Sequence, residues 1–346
     1  MAKNNSNLHK AKEVKNDEFY TCIVDIENEM KYYKDFFKGK VVYCNCDDPK
    51  ESNFFKFFRQ NFLEYGLKKL ITTGYKKNGN GVSYIIEEDV NGNKRIDEEE
   101  IIVTELQGDG GFESEECLAF LNEADVVVTN PPFSLFRDYI KQLIDNGKKF
   151  IVMANNNAIT YKEFFPYIKS NQVWLGRTLF TGKMPYFKVS ENYTLENDRY
   201  ERRSDGLYKQ VNGICWFTNI PNDGNREILD LFKKYNPEEY PKYDNYDAIE
   251  CGRMIYLPMD YDGVIGVPIT SLKYLYSDGK IHANIDGVDT KFDILGITQR
   301  NDDPYKIKKY TKEEYKNAND LNARGTIIVN GVPKSTYPRI LIKRIS

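Results

Sequence analysis

The residues of this chain best equipped for chemistry are Asn130, Pro131, Pro132 and Phe133, which follow the run Ala124-Asp125-Val126-Val127-Val128-Thr129. An exocyclic amine on a purine or pyrimidine is a poor nucleophile because its lone pair is delocalised into the ring. A side-chain amide oxygen and a neighbouring backbone carbonyl, both held as acceptors, can take its two N–H bonds and favour a pyramidal nitrogen. Asn130 supplies the amide and Pro131 the carbonyl, while Pro132 stiffens the next φ angle. Phe133 offers a flat face for a planar base, and such stacking is worth roughly 1 to 3 kcal/mol. The same four residues also read as a strand, a proline-rich turn and a helix, with Phe133 in the core. Four residues alone do not separate the two readings.

Such a group needs a rigid support. The β-branched run before Asn130 reads as a buried parallel strand, and α/β folds place their chemistry at the carboxyl ends of such strands. Ser134 is expected to cap a following helix with Phe136, Ile140, Leu143 and Ile144 on one face and Gly147 at its end. Residues 149–154 then read as another buried strand. Upstream, Ile26, Met30, Tyr33 and Phe37 recur at helical spacing, so residues 25–37 are expected to be a helix ending near Gly39. A strand at Val41-Val42-Tyr43-Cys44, within residues 40–46, terminates in Asp47-Asp48-Pro49. A helix over about 52–65 ends at Gly66, and residues 70–73 form a second strand. That order is a βαβ unit, with a nucleoside-like ligand expected at the carboxyl end of its first strand. Asp48-Pro49 also reads as a helix cap with proline at the first helical position. The pattern as a whole predicts a doubly wound parallel sheet.

Residues 76–105 read as a hairpin insertion, with strands at 83–88 and 94–104 flanking Asn91-Gly92-Asn93. Asp89, Asn91, Asn93, Asp97 and Glu100 also fall at the offsets of a calcium loop. Lys94 stands where such a loop needs glycine, and the flanks are strand-like, which favours the hairpin. A glycine-rich loop at 107–112 precedes a helix at about 114–122. Farther on, residues 211–217 read as a strand and 225–235 as a helix. The proline- and tyrosine-rich run at 237–246 reads as a connection between domains. Short β-rich pieces at 263–269, 292–297 and 326–329 complete a mostly β or α+β unit.

Composition bounds the answer further. With 40% hydrophobic and 14% aromatic residues in 346, the chain can bury a sizeable core in one large or two ordinary domains. No apolar run reaches the roughly 20 residues a membrane helix needs, and the polar first fifteen residues read as a flexible tail without a signal sequence. A soluble, cytoplasmic protein is expected. Of the six cysteines only Cys44 and Cys46 are close, and the two histidines, His9 and His282, flank no acidic or cysteine cluster in sequence. Free thiols and no metal are the expectation. Net charge is −3, but it is unevenly spread. Residues 1–150 carry 21 lysines and arginines against 27 carboxylates, residues 151–210 carry 9 against 6, and residues 301–346 carry 10 against 5. The middle stretch includes Lys183, Lys188, Arg199, Arg202 and Arg203. Local basic surfaces of this kind suit a phosphate backbone, although charge alone equally describes a solvated face.

The Asn130 to Phe133 tetrapeptide resembles the catalytic motif of adenine-N6 DNA methyltransferases that use S-adenosylmethionine. The longer string Thr129 to Arg137, with Lys15-Asn16-Asp17-Glu18-Phe19-Tyr20-Thr21 and Cys44-Asn45-Cys46-Asp47-Asp48-Pro49, is similar to the EcoRI-type adenine-specific methyltransferases. The likeness continues through Asn156 to Glu163, Cys215 to Asn219, Tyr261 to Val264 and Gly266 to Thr270, and so covers most of the chain.

This resemblance implies an α/β fold with a Rossmann-like class I methyltransferase sheet in residues 1–236 and an α+β target-recognition region in 237–346. It implies S-adenosylmethionine as cofactor and double-stranded DNA as partner, with an adenine flipped into the pocket at Asn130 to Phe133. Asp47 or Asp48 would bind the ribose or amino-acid part of the cofactor, Phe19 and Tyr20 would close over its methionine end, and Asp109 and Phe112 would lie around its adenine. The family more usually has an acid directly before that aromatic, where this chain has Gly111. Trp216 would lie beyond the flipped base, although a tryptophan on a strand also reads as core. Arg202 and Arg203 would meet phosphates. The resemblance further implies restriction-modification or related DNA modification; whether a cognate restriction endonuclease exists, without a stable complex, and the oligomeric state, with a monomer favoured, stay open. Methylation of an RNA base or a protein glutamine uses a similar tetrapeptide, usually with tyrosine fourth, and a catalytically inactive DNA-binding relative is the remaining alternative.

Overall fold

The computed structural model describes residues 20–46, 48–178, 185–189, 199–223, 228–298, 305–314 and 321–345. Phe19, Asp47, His9, Lys183 and the expected tail lie outside them. The chain divides into two compact units, one taking in the chain through Asn156 together with Gly176–Ile220, the other Asn157–Leu175 and Pro221–Ser346.

In chain order the first unit begins with β1 (Tyr20–Thr21), α1 (Ile23–Met30), β2 (Val41–Cys44), α2 (Asn53–Gln60), β3 (Lys69–Gly74), β4 (Val82–Ile86) and β5 (Ile102–Glu105). It continues with α3 (Glu115–Glu123), β6 (Val126–Thr129), α4 (Phe136–Asp145) and β7 (Lys149–Asn155). After α5 (Phe165–Lys169) and β8 (Trp174–Leu175), which belong to the second unit, come β9 (Tyr186–Val189), β10 (Tyr200–Arg203), β11 (Gly206–Gln210) and β12 (Ile214–Thr218).

Within this unit the main sheet runs β5-β4-β3-β2-β6-β7-β12. Strands β3, β2, β6 and β7 are parallel, and β4, β5 and β12 extend the sheet antiparallel. The four residues of β2 and of β6 are all buried, as strands covered on both faces must be. One face carries Val42, Leu70, Val126, Val128, Ile151 and Trp216, packed under the phenylalanines of α2 and under Ile26 and Met30 of α1. On the other, Tyr43 meets Phe120 of α3, and Phe217 meets Phe136 of α4. Helices on both faces of the four parallel strands give the doubly wound core expected from the order of elements, while the antiparallel β4, β5 and β12 make the sheet mixed where a parallel one was expected. The chain goes from β2 to β3 on one side and later returns to β6 on the other, so β2 and β6 flank a topological switch point. A separate antiparallel sheet, β1-β9-β11-β10, completes the unit.

Several boundaries differ from expectation. The helix expected over 25–37 is α1 followed by a 3-10 segment, Lys31–Phe37. Helix α2 starts at Asn53 with Ser52 as its cap, so Asp48-Pro49 does not cap it; Asp48 instead accepts the Lys50 amide at 3.0 Å. Ser134 lies in a 3-10 turn, Phe133–Leu135, and the N-cap of α4 is Leu135, which makes no side-chain cap bond. Gly147 does end α4, at φ +61°, with the Lys148 amide bonding Leu143 O at 2.9 Å.

The insertion is a hairpin of β4 and β5, but its tip is longer than expected. Asp89, Asn91 and Asn93 accept backbone amides of residues 92–95, and Asp97 and Glu100 form a reciprocal capping box. These local bonds compete with ladder pairing and keep residues 94–101 out of a strand. Lys94 takes the left-handed conformation, φ +66°. Among the described residues no group of three or more His, Cys, Asp or Glu is arranged to hold a metal.

The second unit is built on a mixed sheet, β13-β16-β17-β20-β15-β14. These strands are β13 (Leu229–Leu231), β14 (Ile249–Glu250), β15 (Ile265–Pro268), β16 (Lys280–Ile285), β17 (Val288–Ile297) and β20 (Arg339–Arg344). Strands β18 (Thr326–Val329) and β19 (Val332–Ser335) form a separate two-stranded ribbon. The helix expected over 225–235 is not present at 229–231, where the chain pairs in parallel with β16. Nor is 237–246 a linker: Tyr240, Tyr243 and Tyr246 are buried, and Tyr243 and Tyr246 form a core cluster with Ala248 and Leu341. His282 does have acidic neighbours, since its Nε2 lies 3.0 Å from Asp278 and its Nδ1 3.1 Å from Asp289. Those carboxylates arrive from a turn and an adjacent strand. No described helix is long and apolar enough to cross a membrane.

Candidate active site

Parallel pairing of Val42 with Val126 and Tyr43 with Val127 brings the carboxyl ends of β2 and β6 to the same edge of the sheet. Asn45 and Cys46 leave one tip, Asn130 and Pro131 the other. The hydroxyl of Thr129, the last residue of β6, donates to the carbonyl oxygen of Asn45. The Asn45 side-chain oxygen accepts the hydroxyl of Tyr139, on α4, at 2.5 Å. Tyr139 in turn meets Phe112 edge to face, with ring centroids 5.1 Å apart, and Gln142 Nε2 donates to Phe112 O at 3.1 Å. One buried chain of contacts thus joins the β2 tip, the β6 tip, α4 and the 107–112 loop. Burial pushes the Tyr139 hydroxyl well above the usual tyrosine range, with Cys46 and Tyr43 adding to the effect, so it remains a donor.

Local backbone supports the same place. Cys46 adopts φ +72°, a left-handed conformation that costs an L-residue about 1 to 2 kcal/mol, directly past β2. Gly110, at φ +78°, packs so closely that a Cβ would sit 3.1 Å from the carbonyl carbon of Gly74 and 3.2 Å from Gly81 Cα. That glycine lets the 107–112 loop lie against the end of β3, with Lys76 N bonding Asp109 O at 2.8 Å.

Asn130 is buried, 6% exposed, at the tip of β6. Pro131 is buried, and Pro132 and Phe133 are half-buried. Phe133 packs partly against the core, in line with the packing half of its sequence reading. Asp48 and Asp109 are exposed at the edges of this region, and Phe112 is half-buried. Asp109 also accepts the Gly111 amide at 2.9 Å. Tyr20 lies on β1, paired with Lys188. Arg202 and Arg203 lie exposed on β10, away from the two tips in sequence and on the other sheet of the unit. Arg203 covers the ring of Tyr208 at 4.2 Å and pairs with Glu201 at 3.1 Å. Trp216 is corrected: it is fully buried on β12 against Phe54, so its ring has no face to offer a base.

Asn45 and Tyr139 are the residues sequence reasoning passed over. Asn45 lies between the two cysteines after β2, where an amide reads equally well as a turn residue. Tyr139 falls three residues after Phe136 on the buried face of α4, where a hydroxyl signals a buried partner.

A model of the family described as adenine-specific methyltransferase EcoRI matches residues 7–345. The chain belongs to the EcoRI family of adenine-specific methyltransferases. It is 47% identical to the Type II methyltransferase M.EcoRI of Escherichia coli over 287 residues, covering 79% of this chain and 87% of that one. It is 39% identical over 270 residues to the Type II methyltransferases M.MgeORF184P of Mycoplasma genitalium and M.MpnI of Mycoplasma pneumoniae, covering 77% of this chain and 81% of each. No solved structure matches. In this EcoRI-family chain the tetrapeptide and the β2 tip fall side by side at the ends of two paired parallel strands.

Proposed function

We propose that this EcoRI-family methyltransferase transfers a methyl group from S-adenosylmethionine to the N6 amine of an adenine flipped out of duplex DNA. The observation that carries the reading is the emergence of Asn130-Pro131-Pro132-Phe133 from β6 beside the tip of β2, bound to it through Thr129 and Asn45.

The residues around the two tips fit that cofactor by their chemistry. Asp48 and Asp109 are exposed carboxylates that can accept from an ammonium or from ribose hydroxyls, and Phe112 is a half-exposed aromatic suited to a purine. Tyr20, at the start of β1, and Phe19 and Asp47 beside these residues in sequence complete the expected set. When bound, the cofactor supplies an electrophilic methyl group. Asn130 Oδ1 and the Pro131 carbonyl accept the two amino hydrogens of the adenine, so its lone pair points away from the ring. Phe133 stacks on the base and limits its rotation. The amine loses its proton after transfer, so no nucleophilic side chain is required and catalysis rests on positioning. Arg202 and Arg203 offer charge to phosphates from the edge of the second sheet.

The test is product identity. The purified chain is incubated with duplex DNA and S-adenosylmethionine carrying a labelled methyl group, and the DNA is digested to nucleosides. Label in N6-methyl-2′-deoxyadenosine supports the reading. Label in protein, in RNA added as competitor, or in no nucleoside contradicts it.

A further inference from the structure

The ribbon of β18 and β19 stands out in the second unit because neither strand pairs with any other described strand. Its base is fixed. The fully buried Asn245 accepts the Thr326 amide at 2.8 Å and donates to Arg324 O at 2.8 Å, and Asp244 N donates to Thr326 O at 2.8 Å. Ile327 packs on the cluster of Tyr243, Tyr246, Ala248 and Leu341. Its tip is an Asn330-Gly331 turn with φ +52° and +75°, the signature of a tight two-residue hairpin. Beyond the base the ribbon is exposed: Ile328 is 46% accessible, Val332 56%, and Asn330 and Lys334 are exposed too. An isolated two-stranded ribbon with exposed apolar residues is marginal and adhesive unless something covers it.

Charge says what covers it. Residues 321–345 contain Arg324, Lys334, Arg339, Lys343 and Arg344 and no aspartate or glutamate. Arg339 is held by Glu250 at 2.6 Å and Arg344 by Asp262, whereas Arg324 and Lys334 form no ion pair among the described residues. Arg324 lies 5.8 Å from the ring of Tyr337, itself 76% exposed. A two-stranded finger anchored at its base, with a polar tip, methyl-bearing flanks and uncompensated cations at its root, matches a DNA major groove, which admits a two-stranded ribbon.

We propose that residues 326–335 enter the major groove of duplex DNA tip first, with Asn330 at base edges, Ile328 and Val332, which lie on opposite faces of the ribbon, against the two sides of the groove, and Arg324 and Lys334 on phosphates. This rests on the DNA reading above and names the element that would choose the site. The full chain is tested by equilibrium binding to two duplexes, one carrying the sequence the unmutated protein methylates and one scrambled. Asn330→Gly keeps the turn, since glycine adopts the same φ freely. It is expected to lower the ratio of specific to non-specific affinity at least about fivefold. The double variant Arg324→Ala with Lys334→Ala is expected to weaken binding to both duplexes and to reduce the slope of log affinity against log salt by about two. Circular dichroism should match the unmutated protein in each case. Unchanged discrimination in the Asn330 variant overturns base reading. An unchanged salt slope overturns the phosphate contacts, and a self-association that both variants abolish assigns the ribbon to a second copy instead. If the unmutated protein methylates DNA and the variants behave like it, the ribbon proposal alone fails; if it transfers no methyl to DNA, the functional reading fails first.

Discussion

Tyr139 separates positioning from packing. Its ring fills the space beside Phe112, while its hydroxyl holds the side chain of Asn45 at the β2 tip. Tyr139→Phe keeps the first and deletes the second, leaving a buried acceptor whose loss costs about 1 to 3 kcal/mol. If the network orients the cofactor tip, KM for S-adenosylmethionine rises at least about fivefold by that cost, while kcat at saturating cofactor stays within about twofold. Steady-state kinetics at varied cofactor decide it, and an unchanged KM would make the hydroxyl merely structural. The residue was hard to find in sequence because helical periodicity reports which face is buried, not what a polar atom on that face touches. Asn130 to Phe133 stand out in sequence because an amide and two prolines end a β-branched run, but the same four residues equally describe a turn, and it is the wider EcoRI-type likeness that favours the site.

At the scale of elements, α1 is tied to the chain leading into β9 by one buried carboxylate. Glu29 accepts the Tyr33 hydroxyl and the Arg177 and Thr178 amides at 2.8 Å, and the Thr178 hydroxyl at 2.6 Å. Gly176 makes the approach feasible, because a Cβ there would lie 2.5 Å from Trp216 Cβ. Burial pushes the Glu29 carboxyl up, against the pull of these donors. A raised folded value gives stability that is complete below the ordinary glutamate range and lost as pH rises through the raised value. Glu29→Gln turns an amide toward N–H donors, and is expected to cost about 1 to 3 kcal/mol and to remove that part of the pH slope. Denaturant melts between pH 4 and 8 check both, and a variant with unmutated stability and slope contradicts them. The elements that position the site followed from sequence because their signals are local, the β-branched runs and the Gly147 stop, although the helix expected over 52–65 ends at Gln60, short of Gly66. Residues 229–231 and the buried tyrosines of 237–246 did not, because pairing with β16 and packing with Leu341 come from distant sequence.

For the whole molecule, the expected boundary near residue 236 differs from the observed one, which falls after Ile220 and also assigns 157–175 to the second unit. A chain that leaves a unit and returns carries no compositional mark at the crossings. The doubly wound core was legible throughout, since it depends on the alternation of strands and helices in residues 40–155. The proposed transfer requires that Asn130, at the tip of β6, hold the amine that reacts while the β2 tip holds the donor. Single-turnover transfer by Asn130→Ala, alongside the equilibrium affinities for duplex DNA and S-adenosylmethionine, tests this most directly. The account predicts a transfer rate lowered about 100-fold or more, as for loss of a preorganised polar contact in a transition state, with both affinities within a few fold of the unmutated protein. Transfer at the unmutated rate, or a loss explained wholly by weaker binding of either substrate, would contradict it.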